Sequence, residues 1–322
     1  VSDSAFWLRL NRRAAALQPD LARELQRAFR TIRESLSDAE LARLIASGQL
    51  DQLLDQALLD RAFGPVRQRI QEIVRRGFDA TIRDLPRAGK VDGVVGVGFD
   101  YLNPEVINAI RALDSRILNT LTSETREMVR AFVERGLREG LGPRAIARDL
   151  RAIIGMAPNQ QEAVRNFRRA LEGQGRSPLD YALRDRRFDS LIRRGAMTPG
   201  RIDRAVAAYE RRMLAFNAET NARTATLDSL RLGQRLAWED AVAKGLVDGA
   251  RLRKEWNAVA GPIGDGRNRP EHLAMHGETV PFDAYFSNGE MIPGESVFNC
   301  RCGARYFQAL PARRVAPLVL TT

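Results

Sequence analysis

The chain has 322 residues, 44% hydrophobic and 28% charged, which suits a globular protein of two or three folding units with ample core. No uncharged apolar run approaches the roughly 18 residues of a membrane span, and the opening Val1-Ser2-Asp3-Ser4-Ala5-Phe6-Trp7 lacks the basic start and apolar core of a signal peptide; no membrane association and a cytoplasmic origin are therefore expected. The net charge of +11 is uneven: residues 255–310 hold four arginines against seven carboxylates, so that region carries −3 and the remainder +14, a surplus that implies either contact with a polyanion or acidic partner, or simply arginine as the preferred solvated residue.

From Asp3 to Asp84 the apolar spacing predicts a succession of amphipathic helices. Pro19 stands where a first-turn proline opens a new helix, Ser37-Asp38-Ala39-Glu40 reads as a capping box, and segments 49–63 and 65–85 read as two further helices. Residues 86–103 break the period with glycines 89, 93, 96 and 98 among valines, which suits a connector or short hairpin. It is not a dinucleotide loop, because Tyr101 stands at the third glycine position, and the Walker Lys-Ser/Thr is missing.

Helices resume at Pro104 and run past Val129 and Val133 to a stop at Gly140-Leu141-Gly142-Pro143. The next carries Ile146, Ala147, Leu150 and Ile153 on one side, shorter ones follow over 161–171 and 188–193, and a long helix begins after Thr198-Pro199-Gly200 and continues to Lys244. After Gly245 glycine and proline accumulate and seven of the 21 aromatic residues fall between Trp256 and Phe307, predicting short strands and turns. The expected fold class is thus mainly α, with long helices over most of the chain and a small C-terminal α+β domain rich in turns. The expected divisions are a helical region 1–88, a second helical region 89–217 after the Gly/Val connector, a long helix plus the compact domain over 218–310, and a tail 311–322.

Every histidine and cysteine lies in that compact domain: His272 and His276 four apart, Cys300 and Cys302 two apart. Two cysteines separated only by Arg301 do not easily close a relaxed disulfide, so reduced thiols are expected. On a helix the two histidines would share a face, and on a strand the two cysteines would point to one side. Together they form a candidate zinc set, a staple for a Gly/Pro-rich unit with little core. The competing reading has His272 bonded to a loop carbonyl and the cysteines as small core residues. A zinc protease would need His-Glu-x-x-His, but Leu273 follows His272; a thiol hydrolase would pair a cysteine with a histidine and an acid such as Asp265, which no spacing here selects.

A series of motifs carries a family resemblance. It begins at Phe99-Asp100-Tyr101-Leu102-Asn103-Pro104, continues through Gly136-Leu137-Arg138-Glu139-Gly140, Asn221-Ala222-Arg223-Thr224 and Lys254-Glu255-Trp256, and reaches Asp265-x-Arg267-x-Arg269-Pro270-Glu271-His272. Asn299-Cys300-Arg301-Cys302 closes it. In this order the chain resembles the head morphogenesis proteins of tailed bacteriophages, the Mu F-like minor capsid proteins, over residues 97–310. It departs from them where residues 261–264 lengthen the Asp-to-His segment and where Val297-Phe298 replaces a His-Pro pair; His276 is outside the motif. The resemblance implies a non-enzymatic, low-copy virion protein inside the capsid, assembled in the host cytoplasm. Its implied partners are the portal protein, the major capsid or scaffold protein, and packaged DNA met through the Arg-rich helices, with roles in head assembly and DNA packaging or ejection. Arg223, Trp256, Asp265, Arg267, Arg269 and Asn299 are the motif positions it implies to be structural. A zinc-dependent or thiol hydrolase and a non-specific DNA-binding protein are the alternatives.

Overall fold

The computed structural model describes residues 3–85, 99–100, 102–258 and 268–309. Within them the chain is mainly α, with nine helices and one three-stranded antiparallel sheet near the C-terminal end. Among the described residues no helix is long and apolar enough to cross a membrane. The Gly/Val connector lies largely outside them, as does the tail beyond 309.

The first helix, α1 (Asp3–Ser35), runs straight through Pro19. The expected break there is therefore corrected. An interior proline costs roughly 3 kcal/mol, but α1 buries Leu10 and Ala14 before it and Leu21, Leu25, Phe29 and Ile32 after it, at about 1.5–3 kcal/mol for each large apolar side chain. The same correction applies at Pro65: a short 3-10 turn, Leu50–Leu54, precedes α3 (Gln56–Asp84), which absorbs the proline. Between them α2 (Asp38–Ala46) starts where Ser37 Oγ accepts the Glu40 N–H at 3.1 Å. The remaining long helices are α4 (Pro104–Arg138) and α8 (Pro199–Ala243), with α5 (Pro143–Ile153), α6 (Pro158–Leu171) and the five-residue α7 (Asp189–Arg193) between.

Contacts group the chain into two units drawn from non-contiguous segments, where the sequence had suggested successive blocks. One consists of Leu17–Ile70 and Arg111–Ala225. Here α2 packs on α5, whose Ile146, Ala147, Leu150 and Ile153 are all buried as the periodicity predicts. Phe29 meets Phe63 edge-on at 5.7 Å, and Phe167 meets Tyr209 at 5.2 Å. Polar anchors close the gaps: Asn217 Nδ2 donates to the Gly155 carbonyl at 2.8 Å and Arg33 to that of Ile154 at 2.8 Å.

The other unit consists of Val1–Ala16, Gln71–Ile110 and Thr226–Thr322. Its core is a close crossing of α3 and α8. A Cβ on Gly233 would lie 2.0 Å from the Val74 carbonyl oxygen, and one on Gly77 would lie 2.7 Å from that of Leu230, so only glycine lets these backbones touch. After α8, β1 (Leu252–Asn257) forms the central strand, flanked by β2 (Thr279–Pro281) and β3 (Gly303–Gln308). Its register sets Lys254 opposite Val280 and Tyr306, and Glu255 opposite Thr279 and Arg305. The Glu255–Arg305 pair closes at 2.7 Å across the strands. A buried cluster of Trp238, Leu252, Trp256, Phe286, Cys300, Cys302 and Tyr306 fills the space between the sheet and the end of α8.

Candidate metal centre

The centre is assembled by three short pieces around β1. The first is α9 (Pro270–Ala274), which begins with Arg269 in an extended conformation and Pro270 in the first turn, where a missing N–H costs nothing. The chain leaving α9 is tied to β1 by Gly277 N–H donating to the Trp256 carbonyl at 2.9 Å and Trp256 N–H to that of Glu278 at 2.8 Å. This holds His272 inward, 4% exposed, with its ring edge-on to Trp256 at 5.2 Å. The second piece is the run before β3. Asn299 adopts φ 59°, a left-handed conformation that asparagine tolerates better than most residues, and turns the chain so that Cys300 and Cys302 point inward. Arg269 joins the two pieces by donating to the Phe298 carbonyl at 3.0 Å.

Both sulfurs lie 3.5 Å from His272 Nδ1, and the three donor atoms all fall within 4.8 Å of one another. The cysteines are 3% and 1% exposed and unbridged. This buried His/Cys/Cys group can hold a metal ion. The thiol of Cys302 and the His272 ring, helped by the Arg231 charge, hold Cys300 well below the usual thiol range, at about 4, against the opposing effect of burial. The thiolate so formed raises Cys302, with burial adding to the shift, while its hydrogen bond raises His272. The direction of the Cys300 shift favours the thiolate, the form that binds metal. The indole N–H of Trp256 is buried without an oxygen or nitrogen acceptor, and its approach to Cys302 partly counters that thiol's upward shift.

The third piece is the loop 290–296. Glu290, 2% exposed, accepts from Gly294 N–H at 2.7 Å, Ser296 N–H at 3.0 Å and the Ser296 hydroxyl. Its carboxylate is occupied in shaping the loop, so it is not a general base aimed at the sulfurs. Beneath the cysteines Arg231 of α8, 1% exposed, donates to their carbonyls and pairs with Asp228 at 2.8 Å.

Of the residues singled out in the sequence, His272, Cys300 and Cys302 meet; His276 does not join them. The helix that would have put His272 and His276 on one face ends at Ala274, and His276 is exposed, its Nδ1 accepting the Ala258 N–H at 3.3 Å. Trp256, Arg269 and Asn299 build the centre. Arg223 lies in the other unit, where Nε donates to Gln18 Oε1 at 3.3 Å. Asp265 and Arg267 lie outside the described residues. Arg231, Asp228, Glu290 and Gly294 escaped the sequence reading; the available signal was a charged pair inside the run Ala225-Thr226-Leu227-Asp228-Ser229-Leu230-Arg231, buried nearly throughout. A separate cavity of about 410 Å³, bordered by Phe6, Leu10, Trp238 and Phe307, has no histidine or cysteine in its walls. No protein-family model, no curated protein and no solved structure matches the chain.

Proposed function

We propose that this chain is a minor capsid protein of the Mu F-like, head morphogenesis kind, low in copy number, bound to the portal inside the phage head, with its His/Cys centre acting as a zinc-held folding staple. One observation carries the reading: the two most specific motif segments, Arg269-Pro270-Glu271-His272 and Asn299-Cys300-Arg301-Cys302, converge on one buried point. Their joint appearance in the sequence then has a single physical cause. Zinc fits the donors, since tetrahedral bonds of roughly 2.3 Å to sulfur and 2.0–2.1 Å to nitrogen separate the two atoms by about 3.5 Å, and the sulfur-to-nitrogen distances are 3.5 Å. Soft thiolates with imidazole favour zinc over hard cations.

Three protein donors also match the count of a catalytic zinc site, and a thiolate beside a histidine matches a nucleophilic pair. This favours a second reading, a zinc or thiol hydrolase acting during assembly. Burial weighs against it, because a substrate would have to reach donors that are 4%, 3% and 1% exposed. Particles made from the source genome test the leading reading. Mass spectrometry of purified heads is expected to find this chain at a few copies per portal, and deletion is expected to abolish infectious heads. Normal infectious heads without the chain sink the proposal; DNA hydrolysis that Cys300→Ala abolishes in a folded protein would favour the second reading.

A further inference from the structure

The metal reading leaves a question that Arg231 answers. A buried guanidinium is costly, and an apolar side chain of similar volume usually serves stability as well or better, so its presence here calls for a role beyond packing. Its Nε donates to the Cys302 carbonyl at 2.9 Å, and Nη2 donates to the carbonyls of Cys302 at 2.5 Å and Cys300 at 2.8 Å. Nη1 goes to Asp228 at 2.8 Å. One planar fork therefore holds the 300–301 and 302–303 peptide planes, those that follow each cysteine, and with them the directions in which both Cβ atoms leave the chain. From the far side Gly294 seals it, because a Cβ there would lie 2.6 Å from Nη1 and 3.3 Å from Cys300 Cβ. Charges balance as well. A dication with two thiolates is neutral, and so is Arg231 with Asp228, so the cation does not disfavour an ion beside it.

We propose that Arg231 is the positioning residue of this centre, presetting both cysteine sulfurs for one soft divalent metal ion and coupling the second half of α8 to metal occupancy. The inference rests on the metal reading above. It is tested on the full chain by titrating zinc against a chromophoric chelator, with cobalt as an optical probe whose thiolate charge-transfer and d–d bands report donor set and geometry. The wild type is expected to bind one zinc. Arg231→Met is expected to bind about 10- to 100-fold more weakly, as removal of an outer partner does, with altered d–d bands. Arg231→Lys is expected to recover part of the loss, because an ammonium acts as a point donor in place of the fork. Wild-type affinity and an unchanged cobalt spectrum in Arg231→Met overturn this inference and leave the metal reading standing; a wild type that binds no zinc overturns both. Should Arg231→Met not fold, Asp228→Asn, which keeps the volume but loosens the fork, takes its place: weaker binding with altered cobalt bands supports the inference, and wild-type behaviour in it and in Arg231→Lys overturns it.

Discussion

A lysine with no exposed surface sits in the middle of β1. Lys254 Nζ donates to the Met291 carbonyl at 2.7 Å, touches its sulfur at 2.8 Å and stands 4.9 Å from the centre of the Phe286 ring. Burial first, then the nearby Arg235, push its pKa down from 10.5 to about 8, against the pull of Glu295 and Asp283. Below pH 8 both folded and unfolded chains carry the proton, and the folded state bears the whole cost of a buried ammonium. Between about 8 and 10.5 the unfolded chain holds a proton that the folded chain has lost, so stability rises with pH. Lys254→Met removes the charge and leaves one carbonyl short of a donor, a loss of about 1 kcal/mol. It is expected to unfold in urea with stability about 1–2 kcal/mol above wild type at pH 7, the gap closing toward pH 10.5. An equal gap at both values would refute the account. Residues of this kind were hard to read in advance. Lys254, Arg231 and Glu290 have the composition of surface residues, and only the fold decides that they face inward. His272, Cys300 and Cys302 were legible because three rare donors in 31 residues form a pattern that needs no fold to be noticed. His276 misled because its four-residue spacing presumes a helix, and the chain turns at Gly277, φ 88°.

At the scale of elements, the crossing of α3 and α8 decides whether the second half of α8 can reach the cysteines. Gly233→Ala would gain about 1 kcal/mol of helix propensity. The added methyl, however, meets Val74 O at 2.0 Å and Phe78 N at 2.8 Å, backbone atoms that move only if the helices separate. Overpacking typically costs about 1–3 kcal/mol, and more where backbone has to move; taking about 3 kcal/mol for this clash against the gain of about 1, a net loss of about 2 kcal/mol is expected in thermal or urea unfolding. Gly64→Ala, in the interior of the same α3, meets nothing within 4 Å beyond its chain neighbours; the roughly 1 kcal/mol of helix propensity gained there is offset by crowding against the Cδ of Pro65, so a change within about 1 kcal/mol of wild type is expected. Equal effects at the two positions would remove the crossing from the explanation. Helix identity was legible from apolar period and caps, as in α2 and α5. Helix length was not, since Pro19 and Pro65 carry the local signature of a helix start and only the burial on both sides of each makes the continuous helix win. The interleaving of segments into two units was equally hidden, because it depends on which parts of four long helices pack together.

At the scale of the whole molecule, charge separates the two units more sharply than composition does. The unit formed by Leu17–Ile70 and Arg111–Ala225 holds 31 arginines and no lysine against 22 carboxylates, which is +9 of the chain's +11. Many of these arginines are engaged internally: Arg23 with Asp20, Arg27 with Glu24, Arg168 with Asp203, and Arg187 and Arg212 with Asp185. The exposed pairs among these contribute little to stability, whereas Asp185 is fully buried beneath its two arginines; all of them subtract those arginines from any contact with DNA. Others, Arg111, Arg144, Arg176 and Arg194 among them, are exposed with no carboxylate paired to them among the described residues. If packaged DNA is the polyanion this surplus meets, arginines such as these four are where phosphate would displace bound counterions. Affinity for a short random-sequence duplex is then expected to fall linearly in log–log form with salt, and replacing all four by glutamine should flatten that slope by roughly 0.9 for each phosphate no longer neutralised, up to between 3 and 4. The weakening should be the same for unrelated duplex sequences, since phosphate recognition carries no base information. An unchanged slope with intact folding would place the DNA-binding surface elsewhere on the chain. Binding that ignores salt altogether would remove phosphate contact as the role of the surplus.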